Sequence, residues 1–289
     1  MNFLERIKTG QTLVSDGATG TNLQARGLDL GLPGEVWVLE RPDEIMRLQR
    51  AFIDAGAEIL LACTFGGSAM RLEQVGLGER MAEVNRTAVQ LTRRAVDGRD
   101  VLVAGSIGPL GHLLKPLGPL EPEAAQAAYR EQARVISDAG VDLLVIETQF
   151  DLVEAEAAVR GVRSASSLPL VCSFSFDRGT RTMMGVRPAQ AAAQMEAWGV
   201  DVAGINCGRS LEENLVVLQQ LRSATKLPIW FKPNAGLPEL DSEGRPTYSV
   251  SPEAMGSQVY TWLAAGAQVV GGCCGTSPEH LREIAQQAR

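Results

Sequence analysis

Gly56-Ala57-Glu58-Ile59-Leu60, Gly140-Val141-Asp142-Leu143-Leu144, Gly199-Val200-Asp201-Val202 and Gly266-Ala267-Gln268-Val269-Val270 are four versions of one junction. Each ends a helix on glycine, turns on a polar residue and enters a strand. Around these junctions, short β-branched or apolar runs at 12–16, 59–63, 101–106, 143–147, 170–174, 202–206, 229–232 and 268–271 alternate with amphipathic stretches of helical period. Strict alternation of β and α predicts a parallel sheet, and eight units predict an α/β fold of one kind, a single (β/α)8 TIM barrel. No linker-like shift in composition divides the chain, so residues 1–289 read as one domain. An open doubly wound sheet is the alternative; no Gly-x-Gly-x-x-Gly follows the first strand to argue for it.

Helix starts support the count. Pro42, Pro122, Pro188, Pro252 and Pro278 stand at expected first helical positions, where a missing N–H costs no intrahelical bond. Ser251 and Ser277 precede two of them as capping residues. Asp151 with Glu154 reads as a capping box, with Asp in place of Ser or Thr. The sequon Asn85-Arg86-Thr87 reads as helix surface.

Composition narrows the function classes. Apolar residues make up 45% of 289 and aromatics 5%, with 30 glycines, which suits an Ala/Val/Leu-rich α/β protein rather than a β-sandwich. A formal charge of −7 without a basic run argues against nucleic acid as a partner. No stretch reaches the roughly 18 apolar residues of a membrane span, and the first ten residues lack the apolar core of a signal peptide. A cytoplasmic location follows, where five cysteines stay reduced and free to bind metal.

In such barrels the chemistry sits at the C-terminal ends of the strands. Asp16, Cys63, Glu147, Cys207, Cys273 and Cys274 all fall there. Cys207 closes Gly204-Ile205-Asn206-Cys207-Gly208, and the paired cysteines sit in Gly271-Gly272-Cys273-Cys274-Gly275-Thr276. Consecutive strand residues face opposite ways, so both paired thiols can ligate only if the flanking glycines bend the chain. Three thiolates with an open fourth position form the pattern of a catalytic zinc site. The competing readings are a vicinal disulfide, which is strained, and simple packing, the role read for Cys172 and the leading one for Cys63.

Asp16 opens the turn Asp16-Gly17-Ala18-Thr19-Gly20-Thr21, and Glu147 closes Val145-Ile146-Glu147. Carboxylates at a barrel mouth can hold an ammonium, and N–H groups of a glycine-rich turn can hold a carboxylate, so an amino acid would use both. The plainer reading makes Asp16 a turn cap and Glu147 half of an internal salt bridge. Asn206 and Asn234 read as turn formers. Long segments at 105–121, 176–187 and 233–250 are expected to cover the mouth. His280 reads as a packing or surface residue of the last helix, and His112 as a mouth-loop residue.

These motifs, with Pro233-Asn234-Ala235-Gly236-Leu237-Pro238, resemble the homocysteine S-methyltransferase family over nearly the whole chain. Within it the chain is most similar to the homocysteine-binding module of cobalamin-dependent methionine synthases. The resemblance implies one zinc ion on Cys207, Cys273 and Cys274. It also implies Asp16 and Glu147 on the substrate amino group, N–H groups near Gly17 and Ala18 on its carboxylate, and methyl transfer to homocysteine giving methionine.

The resemblance leaves the donor open. S-methylmethionine-dependent members typically carry arginine where this chain has Gly275, and betaine-dependent members an aromatic-rich stretch where it has only Phe65. Methylcobalamin is therefore favoured, supplied by another domain or chain because no corrinoid-binding motif is present. Two further readings stand beside it. One is a zinc- and homocysteine-binding module active only with partner corrinoid and folate domains, and the end at Arg289 just after the eighth helix suits a module boundary. The other is a metal-free aldolase or isomerase using Lys232 as a Schiff-base lysine.

Overall fold

The four glycine junctions do what their spacing demands. Gly56, Gly140, Gly199 and Gly266 have φ of +111°, +92°, +71° and +100°, left-handed values that favour a residue without Cβ. In three of them the acid two residues on stitches the floor of the sheet. Glu58 accepts the Val14 N–H at 3.0 Å, Asp142 that of Val103 at 2.7 Å and Asp201 that of Leu170 at 2.8 Å. Each acid thus satisfies the first free donor of a neighbouring strand.

The computed structural model describes residues 1–242 and 244–289. Its strands, in chain order, are β1 (Leu13–Val14), β2 (Ile59–Leu61), β3 (Leu102–Ile107), β4 (Leu143–Gln149), β5 (Leu170–Phe174), β6 (Val202–Cys207), β7 (Ile229–Pro233), β8 (Pro238–Leu240), β9 (Pro246–Tyr248) and β10 (Val269–Val270). Eight form one parallel sheet in the order β1-β10-β7-β6-β5-β4-β3-β2. A parallel bridge from Ser15 to Ile59 joins the outer strands, making the (β/α)8 barrel. The remaining two, β8 and β9, pair as an antiparallel hairpin inside segment 233–250, which the sequence presents only as a long loop.

Inside the barrel, Leu13, Ile59, Leu61, Leu102, Ala104, Leu143, Val145, Val171, Val202, Trp230 and Val269 form one apolar cluster. Phe3 and Ile7, on an N-terminal helix Phe3–Lys8 not foreseen from sequence, belong to it and plug the floor. A larger cluster lies between the strands and the surrounding helices. Each expected proline is the first residue of a helix: Pro42–Asp54, Pro122–Asp138, Pro188–Ala197, Pro252–Gly256 and Pro278–Gln287.

Several expectations need correction. Asp151 does cap its helix through the Val153 N–H, but Glu154 turns away to accept from Leu110 N and Tyr129 Oη, so no capping box closes. Asn85 is fully buried and bonds the carbonyls of Gly67 and Met81; helical position alone did not show which face it takes. The stretch after Pro252 breaks into two helices, Pro252–Gly256 and Val259–Ala264. The first, second and last barrel strands are shorter than their apolar runs. Among the described residues no helix is long and apolar enough to cross a membrane.

Candidate functional site

Strand alternation carries the apolar interior upward into a polar layer. Two residues beyond Ala104 stands Ser106, beyond Val145 stands Glu147, beyond Val171 stands Ser173, and beyond Trp230 stands Lys232. Asn206 completes the set on β6, and Asp16 follows β1. All six are buried. They bond across the strands: Ser106 Oγ donates to Glu147 Oε1, Ser173 Oγ to Asn206 Oδ1 at 2.6 Å, and Lys232 Nζ to Asp16 Oδ1 at 2.6 Å.

Asp16 is fully engaged. Its Oδ2 accepts the Leu61 N–H at 2.8 Å while Oδ1 meets Lys232 and, at 3.4 Å, Ser15. Burial pushes its carboxyl up against the opposing pull of Lys232. Lys232 loses to burial but gains more from Asp16 and Glu147, so its ammonium is held above the ordinary lysine range. A Schiff-base lysine needs the opposite shift, so that reading loses its support. Among the described residues Glu147 makes no salt bridge. Burial pushes it to about 7, opposed by Lys232 and reinforced by Cys273. With both acids ionised, the trio carries one excess negative charge.

The glycine-rich turn divides its donors. Ala18 gives its N–H to Thr276 O and Oγ1, at 3.2 and 3.1 Å, while the Gly17 N–H has no hydrogen-bond partner among the described residues. Gly17 must be glycine, because a Cβ there would lie 2.7 Å from the Phe52 ring.

The three thiols converge. Sγ atoms of Cys207, Cys273 and Cys274 all lie within 4.8 Å of one another, and Cys207 and Cys273 are 3.0 Å apart. Sulfur edges of a zinc tetrahedron with bonds of about 2.3 Å measure roughly 3.8 Å, so the group fits such an ion after sub-ångström adjustment. Just beyond β7, Asn234 N bonds Cys207 O at 3.2 Å, and Asn234 Oδ1 is buried without a hydrogen-bond partner among the described residues. Hydrogen bonds from Cys207 and Cys273 hold the Cys274 thiol well below its ordinary range. Hydrogen bonds to Cys273 and Cys274 push Cys207 up. Cys273 is lowered by Cys207 but raised more by Cys274 and by burial, reaching about 12. One thiolate among the three is thus favoured, as expected of close sulfurs sharing protons.

Cys63 and Cys172 stand apart. Both are buried, with burial pushing their thiols up, Cys172 to about 12. The mouth also holds residues that sequence reasoning missed. Tyr248, at the end of β9, lies against Gly275; a Cβ on Gly275 would stand 2.2 Å from the ring, and Gly275 has φ of +81°. Burial, then the thiolates beneath, raise the Tyr248 hydroxyl. No local signal ties residues 248 and 275; the polar layer, by contrast, follows from counting two positions up each strand. His280 is buried and spans Ser277 N and Val250 O, at 3.2 and 2.9 Å, while His112 is exposed in its loop.

A parallel barrel with a three-thiol cluster above an acid and lysine layer defines a class of thiol-bearing (β/α)8 proteins. The family model described as homocysteine S-methyltransferase matches residues 13–288, and the chain belongs to that family. It is 33% identical to a methionine synthase of Mycobacterium tuberculosis, an alignment spanning 96% of this chain and 25% of that protein. The corresponding figures for a methionine synthase of Mycobacterium leprae are 32%, 95% and 24%. The chain therefore spans about a quarter of the length of these relatives. The metallated form of the homocysteine methyltransferase MmuM from Escherichia coli superposes with a TM-score of 0.83 at 26% identity, over 98% of both chains.

Proposed function

We propose that residues 1–289 form a homocysteine-binding barrel that transfers a methyl group to the homocysteine sulfur, giving methionine. The observation that carries this reading is the convergence of three Sγ atoms within 4.8 Å above the buried layer of Asp16, Glu147 and Lys232. One zinc ion on Cys207, Cys273 and Cys274 would supply the positive charge that makes a substrate thiol a thiolate near neutral pH.

The chain's own residues do the rest. Glu147 Oε2, free of the bond that Oε1 accepts from Ser106, takes the α-ammonium of homocysteine. That cation lowers the Glu147 pKa from about 7, so the carboxyl gives up its proton as substrate arrives. Asp16 contributes to the same field while held in place by Lys232. The Gly17 N–H meets the substrate carboxylate, with Ala18 fixing the turn through Thr276. The Asn234 carboxamide oxygen, buried just beyond β7 without a hydrogen-bond partner among the described residues, would be available to an ion held by the three thiols.

Methylcobalamin remains the favoured donor, reaching the site from a corrinoid-bearing domain or protein. Two observations favour it. Tyr248 fills the space that an arginine at position 275 would need, and Phe65 is the sole aromatic in the 64–68 stretch. The test is methionine formation by the isolated, zinc-loaded chain supplied with homocysteine and free methylcobalamin, betaine or S-methylmethionine. Turnover with methylcobalamin supports the donor; turnover only with one of the others replaces it. Binding of homocysteine without turnover on any donor favours a module that works with partner domains.

A further inference from the structure

Glu147 and Asn206 both point into the barrel, so regular alternation would send the next residues, Thr148 and Cys207, outward. Neither is in regular strand conformation. Their φ values are +62° and +60°, and among the described residues the only other non-glycine with positive φ is Asp97, at the end of a helix. A left-handed backbone is rare for β-branched threonine and needs support from its surroundings. Cys207 needs it in order to turn its sulfur toward Cys273.

The support is one side chain. Asn206 Oδ1 accepts the Thr148 N–H at 2.8 Å and the Ser173 hydroxyl at 2.6 Å. Its Nδ2 donates to Thr148 Oγ1 at 2.7 Å and lies 3.5 Å from Cys207 Sγ and 3.8 Å from Cys273 Sγ. Because the Thr148 N–H can only donate, the atom facing it must be the carboxamide oxygen, which fixes Nδ2 toward the sulfurs. Asn206 is wholly buried, and both of its polar atoms are used.

We propose that Asn206 is a positioning residue that locks the carboxylate end of β4 to the thiol end of β6 and gives hydrogen bonds to the sulfurs that hold the metal. The inference rests on the function proposed above. A donor beside a metal-bound thiolate withdraws part of its charge, and groups so placed around a metal typically change affinity 10–100-fold when removed. One residue thereby sets both halves of the site: where the substrate ammonium is held and where its sulfur is received.

Two single variants and one double variant separate these roles. Asn206→Asp keeps the acceptor for Thr148 and Ser173 but replaces the donor to sulfur with a carboxylate. Asn206→Ala removes both, and Asn206→Ala/Thr148→Gly relieves the left-handed backbone without restoring the donor. Zinc affinity is measured by competition with a chromophoric chelator, homocysteine binding by calorimetry on the zinc-loaded chain, and folding by circular dichroism. Asn206→Asp should fold and lose zinc affinity about 10–100-fold. The double variant should recover homocysteine affinity relative to Asn206→Ala but not zinc affinity. With cobalt(II) in place of zinc, the sulfur-to-metal charge-transfer band should move to lower energy in each variant lacking the donor. Wild-type zinc affinity in folded Asn206→Asp, or full recovery of zinc affinity in the double variant, would overturn the proposal. A parent chain that binds no zinc would instead sink the function on which it rests.

Discussion

Lys232 Nζ lies 2.6 Å from Asp16 Oδ1, two side chains 97% and 98% removed from solvent and 216 positions apart in sequence. The pair joins β7 to the end of β1 past the intervening β10, above the ring of Trp230, whose centroid is 5.8 Å from the ammonium. Removing one member leaves the other as an uncompensated buried charge, whereas removing both leaves none. Lys232→Met should therefore cost about 3–5 kcal/mol of stability. Asp16→Asn/Lys232→Met should recover more than half of that. Urea unfolding of the metal-free chains checks the cycle, and a Lys232→Met chain within about 1 kcal/mol of the parent would contradict it.

Glu147 gives the metal-free chain a pH dependence of definite sign. Its carboxyl titrates at about 7 in the fold against an ordinary 4.5, so the folded state holds the proton more tightly than the unfolded one. The contribution is complete below about pH 4.5 and is lost as pH rises through 7, on the order of 3 kcal/mol. Glu147→Gln cannot lose that proton. Its urea midpoint should decline less than that of the parent between these limits, and parallel curves would refute the assignment.

Zinc uptake should depend on pH in the opposite sense. Cys207 and Cys273 are held protonated in the metal-free site while Cys274 is ionised more readily. Binding as three thiolates therefore releases about two protons near neutral pH, and affinity rises with pH. Calorimetry in buffers of different ionisation enthalpy counts the protons. Zinc affinity independent of pH between about 6 and 8 would exclude a three-thiolate site.

Position 275 is closed to side chains. Gly275→Ala forces both a left-handed alanine and a contact with Tyr248, together about 1–3 kcal/mol. Adding Tyr248→Ala removes the contact and should return part of the loss, leaving the backbone penalty of roughly 1 kcal/mol. Thermal melts of the single and double variants read the difference. If the double variant is no more stable than Gly275→Ala, the ring is not what closes the position.

Much of this architecture is legible in the chain because it is local. Gly56, Gly140, Gly199 and Gly266 each mark a turn that only a left-handed residue completes, and the apolar runs after them have one use. The convergence of Cys207, Cys273 and Cys274 is legible because thiols at the C-terminal ends of two barrel strands face the same mouth. What escapes sequence reading depends on distant partners. Nothing near Asp16 announces Lys232, and nothing near Gly275 announces Tyr248. Thr148 and Cys207 take left-handed conformations with no glycine to flag them, and both meet the Asn206 side chain. Glu154 has the spacing of a capping residue yet serves Leu110 and Tyr129, because its buried carboxylate finds better partners there.

The most direct test of the account is the zinc content of the chain, purified under reducing conditions and measured by elemental analysis beside its Cys207→Ser, Cys273→Ser and Cys274→Ser variants. A three-thiolate site should hold about one zinc per parent chain, lost in each variant together with methionine formation. No zinc in the parent after reconstitution, or full retention in any of the three variants, would contradict it.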